Sequence, residues 1–244
     1  MGYCGKKGFF FSVLLILATV SSGVAQYVSN EGREFWLSFP RHEPSNQSTA
    51  NIRLFITAKS ASRGQVKIGN ASIPFTVVAN GMSQVDIPRS LAYVNDAGTF
   101  SGRGIQVLVD TSQPKVTVFA HIYALDRSAA AAILPLESLG SKYYVMGYDQ
   151  HGPAAGMFTY SIVATAPNTT VLIHQMINQV RGSTISVTLN AAGDVYQFLG
   201  TDDYTGTYVE ADPTSSLCKT FAVFAGSSGV TIPYANDASL NPLY

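Results

Sequence analysis

The sequence has few charged residues. Asp, Glu, Lys and Arg make up 12% of the 244 residues, about half of the roughly 25% that is usual in soluble domains. Fifteen basic and fifteen acidic residues cancel, so no net field draws the chain to nucleic acid or to an anionic membrane. With a hydrophobic fraction of 46%, the composition is that of a globular protein with a largely uncharged polar surface. We expect no nucleic-acid partner.

Cysteine is almost absent. Cys4 lies at the extreme N-terminus and Cys218 is the second of the two cysteines, so a framework of several disulfides is excluded. Because Cys218 precedes the apolar segment 219–224, a buried inert thiol is the favoured interpretation. Bonding to a partner outside the chain is the alternative.

The N-terminus has the pattern of a secretory leader. Lys6 and Lys7 precede an apolar run at 9–20, and small residues at 21–25 offer a cleavage site before Gln26. The run is short for a membrane span. We predict a signal peptide at 1–25, secretion to the extracellular space or cell surface, and no membrane span after cleavage, with an uncleaved anchor as the alternative. The mature part then carries thirteen basic and fifteen acidic residues.

Alternating apolar segments, rich in β-branched and aromatic residues and separated by turn residues, predict strands throughout the mature chain. No segment has a helical apolar period of useful length, and the alanine-rich residues 128–134 predict at most a short helix or a linker. The predicted strands are 34–39, 52–58, 65–68, 73–78, 84–87, 105–110, 116–123, 142–148, 158–164, 170–174, 184–190, 195–199, 208–211 and 220–225.

The two halves of the chain resemble each other in order and spacing. Residues 32–37 match 140–145 at an offset of 108, and three further pairs follow at nearly the same offset. These pairs are 54–58 with 161–165, 80–81 with 190–191, and 118–120 with 223–225. The agreement in order indicates an internal duplication of about 108 residues.

Seven short strands in each half predict an all-β fold of two tandem immunoglobulin-like β-sandwich repeats. The predicted domains are the signal peptide at 1–25, a first sandwich at 26–135 and a second at 136–244, joined near 129–139. We expect the second sandwich to be truncated at its C-terminal end. One large sandwich whose halves share a core across a pseudo-twofold axis is the alternative.

The histidines give little support to catalysis. His121 and His174 fall in predicted strands, where an exposed or hydrogen-bonded sheet histidine is the simplest interpretation. His42 lies in a loop, and so does His151, which has Asp149 nearby. A carboxylate beside an imidazole resembles an acid–base pair, but residues this close in a loop often lie together by chance, without a catalytic role. We predict no catalytic residue.

Motifs for metals, cofactors and nucleophiles are also missing. Asp202, Asp203 and Gly206 are too closely spaced for a calcium loop and fit a turn instead. Residues 226–229 lack the spacing of a serine elbow. Trp36, the only tryptophan, is interpreted as a core anchor, with a ligand platform as the alternative. We predict no metal and no cofactor, and the ligand-binding residues stay unknown.

Five segments carry a resemblance to a known family in their combination and order: 32–36, 135–140, 143–145, 203–207 and 218–226. At these segments the chain resembles the N-terminal domain of the IgGFc-binding protein family, from about Gly32 to the end. It implies an extracellular recognition role in modular proteins associated with mucus, surfaces or adhesion. Family members carry another cysteine soon after the position of Cys218, where Ser227 and Ser228 stand here, and their domain extends beyond the position of Tyr244.

From these observations we predict a secreted binding or adhesion module that recognises an extracellular protein or glycan, mucin-like or immunoglobulin-like, and is not an enzyme. We expect further domains of the same polypeptide as partners. A structural spacer or assembly module of a larger surface protein is the first alternative, and a secreted hydrolase that uses Asp149 and His151 is the second.

Overall fold

The computed structural model describes residues 29–43, 50–124, 127–148, 156–232 and 241–243. The predicted signal peptide at 1–25 and Cys4 lie outside these residues, so that prediction stays untested. In the described part, no helix has the length and hydrophobicity needed to cross a membrane.

The first half of the chain forms two antiparallel four-stranded sheets. Its strands are β1 (Glu34–Leu37), β2 (Asn51–Ala58), β3 (Ser62–Ile68), β4 (Ala71–Val77), β5 (Gly81–Ile87), β6 (Gly98–Phe100), β7 (Ile105–Val109), β8 (Thr117–Ala124) and β9 (Arg127–Ile133). Sheet 1 has the order β1-β7-β3-β4, and sheet 2 has the order β5-β2-β8-β9. A one-turn helix, α1 (Arg89–Ala92), precedes β6.

The second half repeats this arrangement. Its strands are β10 (Lys142–Tyr144), β11 (Phe158–Ala164), β12 (Thr169–Ile177), β13 (Val180–Leu189), β14 (Val195–Gly200), β15 (Tyr208–Ala211), β16 (Phe221–Ser227), β17 (Val230–Ile232) and β18 (Asn241–Leu243). Sheet 3 has the order β10-β15-β12-β13 and sheet 4 the order β16-β11-β14-β6. A short hairpin of β17 and β18 lies near β9.

All fourteen predicted strands are present, and the all-β sandwich class is confirmed. Sheet 3 has the strand order of sheet 1, with β10 in the place of β1. In sheet 4, β11 takes the place of β2 and β16 that of β8. β6 is added at one edge, and no described strand takes the place of β9 at the other. The four matched segment pairs fall on equivalent strands or turns. The predicted boundary between residues 135 and 136 stays a prediction.

One of the four matches is wrong by a single residue. The offset pairs Leu54 with Ser161, but Leu54 faces the core of the first half while Ser161 faces the opposite side of β11. Tyr160 is the core-facing equivalent of Leu54. Because side chains alternate along a strand, a shift of one residue exchanges the two faces.

Each half buries its own core between its two sheets. The cluster of the first half includes Phe35, Leu54 and Val107, and that of the second half includes Tyr160, Ile173 and Phe221. These cores explain the alternating burial of the strands, because one face of each sheet packs on the other sheet. We call the two units the first and the second sandwich.

A third apolar cluster joins the two sandwiches. Trp36 and Val94 of the first sandwich pack with Val163, Val195 and Ala222 of sheet 4. Both faces of β11 are therefore buried, one by the core of the second sandwich and the other by the first sandwich. The chain has two separate sandwich cores with an apolar contact between them.

The segment between β5 and β7 strengthens this contact. β6 leaves the first sandwich and pairs with β14 as the edge strand of sheet 4. Beside it, the N–H of Gly104 donates to the carbonyl of Gly193 at 2.8 Å. A Cβ on Gly104 would lie 2.7 Å from that oxygen, so this close approach of two backbones requires glycine.

The alanine-rich segment was predicted wrongly as a short helix or linker. It forms β9, which pairs with β8 along its whole length. The helix propensity of alanine is a weak preference that tertiary pairing overrides. The predicted connection at 129–139 is correspondingly too long, because the chain is still in the first sandwich at Ile133.

Candidate binding cleft

A cleft with a volume of about 430 Å³ opens between the first sandwich and the edge of sheet 4 formed by β16, beside which the described residues place no strand. Its walls are mostly apolar and carry small side chains. Its lining residues are Ser38, Phe39, Pro40, Arg41, His42, Ala120, Ile122, Ala129, Ala130, Ala131, Ile133, Thr159, Val223, Phe224, Ala225, Gly226 and Ser227.

The edge of β16 beside this cleft has unpaired backbone groups. The N–H of Phe221 donates to the carbonyl of Gly140, and the carbonyl of Phe221 accepts the hydroxyl of Tyr143 at 2.8 Å. The backbone of Phe221 is therefore directed away from β11, and the alternation of a strand gives Val223 and Ala225 the same direction. Within the described ranges, no residue bonds to the outward N–H and C=O groups of these two residues.

The floor of the cleft contains an unsatisfied hydroxyl. Thr159 lies on β11 with 2% of its surface exposed, and its Oγ1 has no hydrogen-bond partner among the residues that the structure describes. A buried polar group without a partner costs about 1–3 kcal/mol. A ligand that supplies a partner for this hydroxyl gains that energy on binding.

At one end of the cleft, His42 is held as a neutral acceptor. It is 3% exposed, and its Nε2 lies 2.7 Å from Nη1 of Arg89, whose guanidinium also stacks on Tyr93. Burial, reinforced by the positive charge of Arg89, lowers the pKa of His42 to about 4. Because Arg89 donates the hydrogen bond, Nε2 carries no proton.

The charges at this end are largely compensated. Arg41 forms an ion pair with Glu43 at 2.8 Å. The N–H of Arg41 donates to Oε1 of Gln197, a fully buried side chain of β14 whose Nε2 donates to the carbonyls of Val94 and Asp96. Gln197 thus attaches the loop and the first sandwich to sheet 4, and the cleft has little net charge of its own.

The other candidate residues from the sequence do not converge on this cleft. His121 and His174 lie on strands as predicted. The Nε2 of His121 is 2.8 Å from Oγ of Ser128, and the Nε2 of His174 is 3.2 Å from Oε1 of Glu210. Asp149 and His151 lie outside the described residues, so the acid–base pair stays untested.

Asp202, Asp203 and Gly206 form a turn, as predicted. Oδ1 of Asp203 accepts the N–H of Thr205 at 2.8 Å, and Gly206 has a φ of 93°. In the part of the chain that the structure describes, no three His, Cys, Asp or Glu side chains are grouped to hold a metal. Ser228, in the segment considered for a serine elbow, is buried and its Oγ accepts the N–H of Met157.

Two predictions about single residues need correction. Cys218 is exposed with a free thiol rather than buried, because β16 begins only at Phe221 and Cys218 belongs to the preceding turn. Trp36 is 6% exposed, but it packs between the two sandwiches rather than inside one. Its Nε1 donates to Oε1 of Glu34 at 2.8 Å.

The cleft itself was not predicted from the sequence. Its lining comes from five separate segments, and none of them carries a motif. The small side chains at 129–131 were one available signal, since a strand of alanines leaves space above it, but they were interpreted as helix-forming.

The fold and the cleft define an all-β protein of two packed sandwiches. In the mostly apolar groove between them lies a sheet edge that no strand of the described ranges covers. Residues 129–243 match the model of a family described as IgGFc binding protein, which confirms the resemblance over this part of the chain. The match begins within β9 and covers the second sandwich. No curated protein and no solved structure matches the chain.

Proposed function

We propose that this chain is an extracellular binding module that holds an extended segment of a partner protein along the edge of β16. The observation that carries the proposal is the pair of outward backbone positions, Val223 and Ala225, beside a mostly apolar cleft. Addition of a strand to an exposed sheet edge is a common way in which proteins bind peptides.

The first sandwich supplies a template for the occupant. There, Val118 and Ala120 hold the positions of Val223 and Ala225, and they pair with Ile133 and Ala131 of β9. An antiparallel strand on β16 would complete sheet 4 in the way that β9 completes sheet 2. Such a strand satisfies the four outward backbone groups at once.

The walls of the cleft restrict the side chains of the occupant. Alanines at 129–131 and the backbone of Gly226 leave room for small or apolar groups, while the paired Arg41 and Glu43 offer no unbalanced charge. The hydroxyl of Thr159 is available for one polar contact. The partner segment we propose is therefore extended, uncharged in its centre and rich in small side chains.

The extracellular location rests on two supports. Lys6 and Lys7 before the apolar run at 9–20 have the pattern of a leader, and the family matched by residues 129–243 is described as a binding protein. The composition, with few charges and many uncharged polar groups, is compatible with a secreted surface protein.

The proposal is tested with a peptide that copies residues 127–135 of this chain, labelled for fluorescence anisotropy. We expect saturable binding to the purified chain, and binding weakened about tenfold or more by Ala225→Pro, because proline removes the outward N–H while sparing the ladder with β11. Ala225→Ser keeps that N–H and serves as the matched control.

A second arm changes the peptide instead of the protein. N-methylation of alternate residues blocks one edge of the peptide, so only one of the two methylated registers should lose binding. A wild-type chain that does not bind the peptide, or an Ala225→Pro variant that binds as the wild type does, overturns the proposal. So does a glycan array with ligands whose binding Ala225→Pro leaves unchanged.

A further inference from the structure

The outer side of β1 is the surface with which the first sandwich contacts the second. Trp36 packs on Val163, Val195 and Ala222, which lie on the outer face of sheet 4. Two residues further on, Oγ of Ser38 is 2.7 Å from Oγ of Ser161. The side chains at positions 36 and 38 thus hold the first sandwich against the second.

The second sandwich has the same strand in the same place. β10 is the edge strand of sheet 3, beside β15, as β1 is beside β7 in sheet 1. Tyr143 packs against the core of the second sandwich and Val145 belongs to it, as Phe35 and Leu37 belong to the core of the first. The outer positions equivalent to Trp36 and Ser38 are therefore Tyr144 and Met146.

These two positions carry large apolar side chains that neither sandwich covers in the described part of the chain. Tyr144 is 75% exposed and Met146 is 74% exposed, against 6% for Trp36. The ring of Tyr144 lies 5.0 Å from that of Tyr208, which in turn stacks on His174 at 5.7 Å. Contiguous exposed apolar and aromatic groups of this kind mark interaction surfaces.

The complementary surface is present on the same chain. The outer face of sheet 2 is equivalent to the outer face of sheet 4, and on it Phe119 of β8 holds the position of Phe224 of β16. Phe224 packs at the contact between the sandwiches, whereas Phe119 is 37% exposed. Near it, Phe55, His121 and Tyr123 form a row of adjacent rings.

We infer that the outer side of β10 docks on the outer face of sheet 2 in a second copy of this chain, and so repeats between molecules the contact that exists within one. The two surfaces differ, so the contact is head-to-tail and leaves one free surface at each end of the assembly. The chain then assembles into linear arrays. This inference does not depend on the proposed peptide cleft.

The contact between copies should be weaker than the one within the chain. β14 and β15 are joined by the short loop at 201–207, whereas β5 and β7 are joined by a segment that contains α1 and β6. The second sandwich therefore has no strand to add to the neighbouring sheet. Docking relies on side chains alone, and we expect concentration-dependent, reversible association.

Sedimentation velocity over a range of concentrations tests this inference. The wild-type chain should form species larger than a dimer as its concentration rises. Tyr144→Lys removes one surface and Phe119→Lys the other, so either variant alone should remain monomeric. A mixture of the two variants should form a 1:1 dimer and stop there, because each variant keeps the surface that the other lacks.

Val180→Lys is the matched control, because Val180 is 68% exposed at the β12–β13 turn and lies on neither surface; it should associate as the wild type does. Circular dichroism checks that each variant is folded. A wild type that stays monomeric at every concentration, or two variants that do not associate when mixed, overturns the inference. Association stopped by Val180→Lys does so too.

Discussion

In the first sandwich, β9 covers the outer edge of β8, whereas the equivalent edge of β16 in the second sandwich has no described strand beside it. The outer side of β1 is likewise covered by sheet 4, while that of β10 is exposed. The two sandwiches share a strand order but not their neighbours. The sheet edge and the strand side that are covered in the first sandwich therefore indicate which edge and which side of the second are available to partners.

The contact between the sandwiches is the part of this comparison most sensitive to substitution. Gly104→Val places a side chain where a Cβ alone would be 2.9 Å from Cα of Gly193, so one of the two backbones must shift. We expect a loss of more than about 3 kcal/mol in unfolding free energy and separate unfolding of the two sandwiches in calorimetry. Gly226→Ala, where a Cβ meets nothing within 4 Å, is the control. A single unchanged transition in Gly104→Val would contradict the close approach.

The first sandwich should be the acid-sensitive one. The folded-state pKa of His42 is about 4, below its unfolded value of about 6.5, so between these pH values the unfolded chain binds more protons. Stability is then full above pH 6.5 and falls as the pH is lowered, by about 2 kcal/mol from pH 7 to pH 5. Urea unfolding at several pH values measures this, and His42→Gln should flatten the profile.

His174→Gln is the control for that experiment, since His174 is part-exposed in the second sandwich. The loss of stability between pH 7 and pH 5 that is assigned to His42 should persist in this variant. If it persists in His42→Gln as well, the loss does not come from His42.

The smallest expected effect is a gain in stability when one hydroxyl is removed from the core of the second sandwich. Tyr160 is fully buried and stacks on Phe198 at 4.7 Å, but its hydroxyl has no partner in the described ranges, and burial raises its pKa. Tyr160→Phe should therefore stabilise the chain by about 1 kcal/mol. Tyr143→Phe should destabilise it by a similar amount, because the Tyr143 hydroxyl accepts the N–H of Gly140 and donates to the carbonyl of Phe221. A loss of stability in Tyr160→Phe would show that its hydroxyl is satisfied.

The strands were predictable because most of them bury one face, and such burial requires apolar and polar residues to alternate in the sequence. The segments 158–164 and 208–211 were predicted to the residue. The repeat was detectable for the same reason, since equivalent strands keep the same core-facing pattern. Even so, the match at Leu54 failed by one residue, because β11 is buried on both faces and its sequence no longer alternates.

Tertiary contacts decided the features that the sequence did not predict. Alanines at 129–131 form a strand only because β8 is there to pair with them. Trp36 was correctly expected to be buried, but its burial depends on sheet 4, which comes more than a hundred residues later in the chain. The cleft has one local signal, the small side chains at 129–131, and the rest of its lining comes from distant segments of both sandwiches.

Because β6 pairs with a strand of the second sandwich, it cannot reach its final place until that strand has been synthesised. Residues 98–100 pair with residues 195–197, so a chain that emerges N-terminus first must synthesise about 100 further residues before β6 finds its sheet. Until then, Val94 and Phe100 have no apolar surface to cover them. A newly made first sandwich therefore lacks its contact with the second and exposes apolar surface. A delay in synthesising the second sandwich would favour misassembly with neighbouring chains over native docking.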